Sequence, residues 1–296
     1  MERLPAVTAR KAIKEAKDRL ERAGIETALS EAQQLLGYVL GCSRTALLIR
    51  VDQILTAGDY EKYMSLVKKR AERYPLQYLT GHQEFMAMDF LVNPNVLIPR
   101  PDTEVVVETA LELIKKYNYR SVVDVGTGSG AIAISLARLA TGIQVYAVDF
   151  SQEALKLARE NALRLGVAKQ VKFIQGDLLG PFFLQEKEKK HRIRQFDLVV
   201  SNPPYIPSAQ IENLQPEVRY EPRAALDGGP DGLEVYRRLI PQAADVLRPE
   251  GHLVLEIGCD QAEQVVSLIR TNGCFEHIQV GKDYARRDRV VVARRR

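Results

Sequence analysis

The sequence predicts an α/β protein, with a doubly wound parallel sheet behind a small all-helical amino-terminal domain and a β-hairpin joining the two. Three observations predict it. Up to residue 75, apolar residues recur at helical spacing. Between 76 and 102 the pattern shifts to short apolar/polar alternation broken by turn residues. From 103 to 296, runs rich in Val, Ile and Leu alternate with helical segments, the pattern of strands buried on both faces of a parallel sheet. A chain of 296 residues is long enough for two domains.

The elements follow in order. Thr8 caps a helix over "ARKAIKEAKDRLERAG" that stops at Gly24, "ALSEAQQLLGYVLG" is a helix that stops at Gly41, and "DYEKYMSLVKKRAERY" stops before Pro75. "QEFMAMDFLVNPNVLIPRP" reads as the hairpin, with Asn93-Pro94-Asn95 as its turn. Asp102 or Thr103 is placed to cap a helix over "EVVVETALELIKK". Then "SVVDVG" is a strand, "GAIAISLARLA" a helix, "IQVYAVD" a strand and "SQEALKLARENALRLG" a helix capped by Ser151. "VKFIQGD", "FDLVVSN", "GHLVLEIG" and "DRVVVAR" are further strands, with helices at "DGLEVYRRLIPQAADVL" and "QAEQVVSLIRTNG". The charged run "QEKEKKHRIR" reads as a solvated loop. The tail "KDYARRDRVVVARRR", seven basic residues against two acidic, reads as a final edge strand followed by solvated arginines.

Composition narrows the class. The net charge is +4, too small to argue for nucleic acid by itself. Residues 1–89 carry fourteen basic against twelve acidic groups, a nearly neutral helical domain. The three cysteines, Cys42, Cys259 and Cys274, form no C-x-x-C and cannot all pair, which suits a reducing, cytoplasmic compartment. The charged start has no apolar core of a signal peptide, and no apolar run approaches the roughly 18 to 20 residues of a membrane span. The four histidines are scattered without metal-ligand spacing, so no metal site is expected.

Two stretches carry chemistry. In "VVDVGTGSGAIA", Gly126, Gly128 and Gly130 sit in the turn from strand to helix, where glycine permits a tight turn and close backbone approach to a ligand. Read as G-x-G-x-x-A, ending at Ala131, the loop also matches a dinucleotide fingerprint. Asp149, 23 residues after Gly126, would bind ribose hydroxyls for either kind of cofactor. Asp124 separates the two: a carboxylate there repels a pyrophosphate but attracts the ammonium of S-adenosylmethionine. Asp177, ending the next strand, can accept from an adenine amino group while Leu178 packs on the ring; the same position also suits a turn cap.

The second stretch is "SNPPYIP". It ends the fourth α/β strand, at the carboxyl edge where open sheets bind ligands. An amide or exocyclic NH₂ is a poor nucleophile because its lone pair is delocalised. The Asn202 side-chain carbonyl and the Pro203 backbone carbonyl can each accept one N–H, aiming the nitrogen lone pair and stabilising the charge that develops. Pro203 and Pro204 hold these acceptors stiff, and the Tyr205 ring can pack on a planar substrate group. No strong general base is needed, because the methylated cationic nitrogen is itself very acidic.

The blocks "PLQYLTGHQEF", "VLIPRPDTE", "DVGTGSGAIAISLA", "SNPPYIP", "EPRAALDGGPDGL" and "LEIG" together resemble the release-factor glutamine methyltransferase family, PrmC/HemK, over nearly the whole chain. The resemblance implies a class I S-adenosylmethionine-dependent methyltransferase domain over 103–296. A hairpin linker over 76–102 and a helical substrate-recognition domain over 1–75 precede it. It implies methylation of the side-chain amide nitrogen of the glutamine in the GGQ motif of class 1 peptide release factors, leaving S-adenosylhomocysteine. Carried onto this sequence, Gly126, Thr127, Gly128, Ser129 and Gly130 with Asp149 hold the cofactor. Asn202 borders both cofactor and substrate; Pro203, Pro204 and Tyr205 complete the substrate amide site. Arg100, Thr103 and Glu104 would line the cofactor mouth and order the hairpin, or simply cap the helix. Glu221 and Arg223 would belong to a flap, or to a loop ion pair. Ala87 and Arg286 depart from the family pattern, which favours glycine at both.

Other readings are a nucleic-acid amino-methyltransferase, a dinucleotide-dependent oxidoreductase and a binding module without turnover. The first shares the site chemistry but needs a basic groove for its substrate. The second needs a pyrophosphate beside Asp124 and leaves Asn-Pro-Pro-Tyr unexplained, and the third predicts that Asn202→Ala is tolerated. The family blocks favour a protein substrate with no direct nucleic-acid substrate.

Overall fold

The computed structural model describes residues 7–183 and 195–296. The run 185–194, expected as a solvated loop, lies outside them. The chain divides into two compact units: Met1–Gly81 with Gln215–Tyr220, and His82–Leu214 with Glu221–Arg296.

The first unit is helical: α1 (Ala9–Arg22), α2 (Ala28–Leu40), α3 (Arg44–Ile49), α4 (Ala57–Ala71) and α5 (Leu76–Thr80). Thr8 caps α1 by accepting from the Lys11 N–H, and Gly41 ends α2 in the left-handed region at φ 62°. The third long helix starts two residues earlier than its charge pattern indicated, because Thr56 caps it. α3 and α5 were not anticipated; at six and five residues they are too short to show a period. Leu20, Leu35, Leu36, Tyr63 and Val67 fill the core, each such side chain contributing about 1.5–3 kcal/mol on burial. One buried cation sits among them: Arg70 binds Glu31 at 2.5 Å and Glu217 at 2.9 Å, and Glu217 also binds Arg73 at 2.8 Å. Glu217 is far off in sequence, so its segment is a part of this core that no local pattern shows.

The second unit opens with a hairpin, β1 (His82–Phe85) and β2 (Met88–Leu91). Its turn is Met86-Ala87, not Asn93-Pro94-Asn95. Both turn residues are left-handed, φ 51° and 56°, the conformation whose twist matches two antiparallel strands. Without Gly or Asn there, the turn is hidden in the sequence. Glu104 braces it by accepting from the Met86 N–H at 2.6 Å. Phe85 and Phe90 drop into the core beside the sheet.

The sheet has seven strands: β3 (Ser121–Val125), β4 (Gln144–Asp149), β5 (Val171–Gln175), β6 (Phe196–Ser201), β7 (Leu247–Glu256), β8 (Phe275–Lys282) and β9 (Asp288–Arg295). Helices α6 (Glu104–Tyr117), α7 (Ala131–Leu139), α8 (Gln152–Arg164), α9 (Glu234–Val246) and α10 (Ala262–Asn272) connect or precede them. The order is β5-β4-β3-β6-β7-β9-β8. The first five strands in that order run parallel, but β9 is antiparallel to both β7 and β8, so the sheet is mixed rather than wholly parallel. Two expectations change with it. The last strand is not an edge: β9 inserts between β7 and β8, burying Val290, Val291 and Ala293. The edge is β8, "FEHIQVGK", whose core-packed Phe275 and Ile278 stand three residues apart across a bulge, so no period-two pattern marks it. Nor are the tail arginines free in solvent: Arg294 pairs with Glu250 and Glu276, and Arg295 donates to the Ala244 carbonyl.

The winding direction reverses between β3 and β6, which lie side by side with Val125 opposite Ser201. Both chemical stretches follow these two strands, so the topology delivers them to one place at the carboxyl edge.

Candidate active site

A cavity of about 780 Å³ opens at that place, within the range of small-molecule sites. The glycine loop forms one wall. Side-chain atoms added at Gly126 (φ 74°) or Gly128 (φ 55°) would meet nothing within 4 Å, so both present bare backbone to open space. Gly130 plays a different part. A Cβ there would lie 2.6 Å from Ile134 of α7 and 3.2 Å from Ala158 of α8, so this glycine lets the start of α7 sit close to α8. Asp149 stands at the end of β4, only 7% exposed. One carboxylate oxygen accepts from the Gly128 N–H at 2.8 Å, the other from Ser151 at 2.9 Å. These bonds oppose the rise that burial imposes on its pKa, and each oxygen keeps capacity for a ligand hydroxyl.

Asp124, Thr127 and Ser129 lie buried beneath the loop instead of on the cavity wall. Asp124 accepts from the Thr127 hydroxyl at 2.6 Å and from the Ala133 N–H at 3.2 Å, tying loop to helix. Burial pushes its pKa up to about 7, and its second oxygen has no hydrogen-bond partner among the described residues. Asp177 and Leu178 line the cavity; Asp177 forms an ion pair with Arg238, a partner the sequence did not suggest.

Asn202 and Pro204 also line the cavity. Asn202 donates from Nδ2 to the Thr103 hydroxyl at 3.2 Å. Thr103 makes no side-chain capping bond to α6, so the helix-capping reading fails for it. Pro203 is buried, and Tyr205 is set behind the wall, packed against the core. The expected stacking of the Tyr205 ring on a ligand gives way to an anchoring arrangement. Its hydroxyl faces Glu256 at 3.4 Å and its carbonyl accepts from Gln261 at 2.9 Å. Gly232 (φ 75°) explains part of "EPRAALDGGPDGL": a Cβ there would fall 2.3 Å from the Tyr205 carbonyl oxygen. This block is the seat of the Asn-Pro-Pro-Tyr loop, and Pro222 to Ala225 with Asp227 to Pro230 also close the cavity. Glu221 ion-pairs with Arg100 and accepts from the Ile98 N–H at 3.0 Å, while Arg223 pairs with Asp227 and Glu212.

Several residues were missed. Phe150, 60% exposed, projects at the cavity directly after Asp149, and the Pro94–Leu97 segment lines it as well. An aromatic just beyond the acidic end of a strand was the available signal for Phe150. Asn161, fully buried, clamps Leu91 through both amide ends and donates to the Ser129 carbonyl at 2.9 Å, joining hairpin and glycine loop to α8. Inside a helical stretch it looked like any polar residue.

The fit to S-adenosylmethionine rests on these features. Bare glycine backbone leaves room for close approach, Asp149 offers acceptors to diol hydroxyls, Phe150 and Leu178 give apolar surface, and the orphaned Asp124 oxygen suits a cation in the vicinity and not a phosphate. No group of His, Cys, Asp and Glu able to hold a metal occurs among the described residues.

Fold and site together define a class I methyltransferase, and similarity to known proteins bears on which. Residues 118–288 match a methyltransferase domain family and residues 11–81 the PrmC N-terminal domain family. The catalytic domain of hMettl16, solved in complex with MAT2A 3′UTR hairpin 6, shares the fold. Its TM-score is 0.55 at 15% identity, covering 82% of this chain and 84% of that one. The release factor glutamine methyltransferase of Moorella thermoacetica is 49% identical over 98% of this chain and 99% of its own length. That of Geobacter sulfurreducens is 44% identical over 90% and 91%. This chain belongs to the release factor glutamine methyltransferase family, and it is an S-adenosylmethionine-dependent methyltransferase.

Proposed function

We propose that this enzyme methylates the side-chain amide nitrogen of the glutamine in the GGQ motif of class 1 peptide release factors, in the cytoplasm, with no direct nucleic-acid substrate. The observation that carries the reading is the near full-length similarity to relatives of that name, extending through the helical domain as well as the catalytic one. The near-neutral charge of residues 1–89 supports a protein partner over a polyanion.

The chain's residues account for the chemistry. S-adenosylmethionine supplies, when bound, an electrophilic methyl group on a sulfonium. Gly126 and Gly128 would admit it against the backbone, with Thr127, Ser129 and Gly130 shaping the loop, while Asp149 would take ribose hydroxyls and the unpartnered oxygen of buried Asp124 would lie beneath the loop. Asp177, Leu178 and Phe150 form the adenine side. Asn202 Oδ1 and the Pro203 carbonyl accept the two N–H bonds of the glutamine amide, fixing the nitrogen so that its lone pair meets the methyl group. As the N–C bond forms and the methyl–sulfur bond breaks, positive charge grows on nitrogen with both acceptors already oriented toward it, and the acidic nitrogen then gives up one of its two protons. Pro203 and Pro204 keep them stiff, and Tyr205 anchors the loop from behind.

The test is methyl transfer from labelled S-adenosylmethionine, offered in parallel to purified class 1 release factor, DNA and tRNA, with mass spectrometry to place the label. One methyl on the GGQ glutamine is expected. Label on nucleic acid alone would keep the NH₂ chemistry and overturn the substrate.

A further inference from the structure

An asparagine amide has two ends of nearly the same shape, one donor and one acceptor. Asn202 serves an NH₂ substrate only if its carbonyl end faces the cavity, so some neighbour must select that orientation. The Asn202 Nδ2 end is turned to the hydroxyl of Thr103, which is 4% exposed and is diverted from its own helix terminus to meet it. A hydroxyl alone does not select, because it both donates and accepts. What lies behind it does. The Thr103 hydroxyl lies beside the Glu256 carboxyl, where it works against the rise in pKa that burial imposes; Glu256 is itself fully buried at the end of β7. The strand register brings Glu256 here: Ser201 on β6 lies opposite Leu255, so the next residue of each strand, Asn202 and Glu256, emerge together. Glu256 is further held by Tyr205, with Arg289 and Asp102 as the other charged groups nearby, and one of its oxygens has no hydrogen-bond partner among the described residues.

We propose that Thr103, backed by Glu256, is a positioning residue that fixes the Asn202 amide with its carbonyl toward the substrate. With Glu256 ionised, its carboxylate draws the Thr103 proton, so a hydroxyl lone pair faces Asn202. A lone pair can receive Nδ2–H but repels Oδ1, and the carbonyl is left for the substrate amide. The inference rests on the reading that Asn202 accepts from an NH₂ group.

The experiment measures kcat and KM on a purified release factor for the wild type, Thr103→Val, Thr103→Ala, Thr103→Ser, Glu256→Gln and the double variant T103A/E256Q. Calorimetry gives S-adenosylmethionine affinity for each. Val and Ala should lower kcat by about 10- to 100-fold, the scale typical of a lost orienting bond, with cofactor affinity within about threefold of wild type. Ser should restore most of the rate, since it returns the hydroxyl without the methyl; the Ser/Ala pair decides the matter if Val does not fold. Glu256→Gln should also lower kcat, and the double variant should be no worse than Thr103→Ala, because both act through one amide. Wild-type kcat in Thr103→Ala, a Ser variant as slow as Ala, or additive losses in the double variant would overturn the proposal. No transfer to glutamine by the wild type would remove the underlying reading, and the inference with it.

Discussion

In the proposed site Asn202 serves the substrate and Asp149 the cofactor, and each role can be measured. Asp149 reaches the cavity with both oxygens already bonded to backbone N–H groups. Asp149→Ala should therefore weaken S-adenosylmethionine binding by about 1–3 kcal/mol, the scale of a lost charged hydrogen bond; an unchanged dissociation constant by calorimetry would remove it from the ribose. Ala87 and Arg286 are a different kind of residue-scale feature. Both are left-handed, φ 56° and 62°, and a side chain there costs roughly 1–2 kcal/mol. Ala87→Gly and Arg286→Gly should each raise stability by up to about 1 kcal/mol in urea unfolding, glycine losing part of the gain to chain entropy. These positions were legible as departures from the family pattern, although their conformation was not. The acidic and glycine residues were legible because their spacing on a strand-loop-helix unit is short-range. Thr103 was not assigned its partner, because Asn202 lies 99 positions away.

At the scale of elements, the Asn-Pro-Pro-Tyr loop owes its position to a second loop. Gly232 leaves no room for a side chain beside the Tyr205 carbonyl. Gly232→Ala should lower methyl transfer at least tenfold by pushing Tyr205 and its neighbours outward, a loss of the size that sub-ångström misplacement causes. Full activity in this variant would mean that the loop has slack. Most helices and the central strands could be read from periodicity and caps, since those signals are local. The hairpin turn and the reversal of β9 could not. The turn lacks its usual residues, and whether a last strand inserts or adds at an edge is decided by pairing with β7 and β8, which no window of sequence contains.

For the molecule as a whole, buried titratable groups set how stability responds to pH. His252 is 5% exposed and accepts or donates to the Tyr119 hydroxyl at 2.5 Å; burial lowers its pKa to about 4. In the unfolded chain an imidazole titrates near 6.5. Between these values the unfolded state binds more protons, so this group's contribution is complete above about 6.5 and is lost as pH falls toward 4. Asp124 and Glu256 act in the opposite sense. Burial pushes both up to about 7, so their ionisation burdens the fold increasingly as pH rises from about 4 to 7. His252→Gln should lose less stability than the wild type between pH 7 and 4.5 in urea unfolding; equal losses would contradict the assignment. The division into units was only partly legible for the same reason as the sheet order: Gln215–Tyr220 lies amid the catalytic sequence but belongs with the helices, where Glu217 meets Arg70 and Arg73.

The proposed chemistry depends above all on the Asn202 side chain accepting a substrate N–H while methyl transfer occurs. The single-turnover rate of Asn202→Ala on release factor, with cofactor saturating, tests it most directly. A fall of about 10²- to 10³-fold is predicted, the scale of removing one preorganised charge-stabilising group. A rate near that of the wild type would contradict the acceptor role and send the chemistry elsewhere in the cavity.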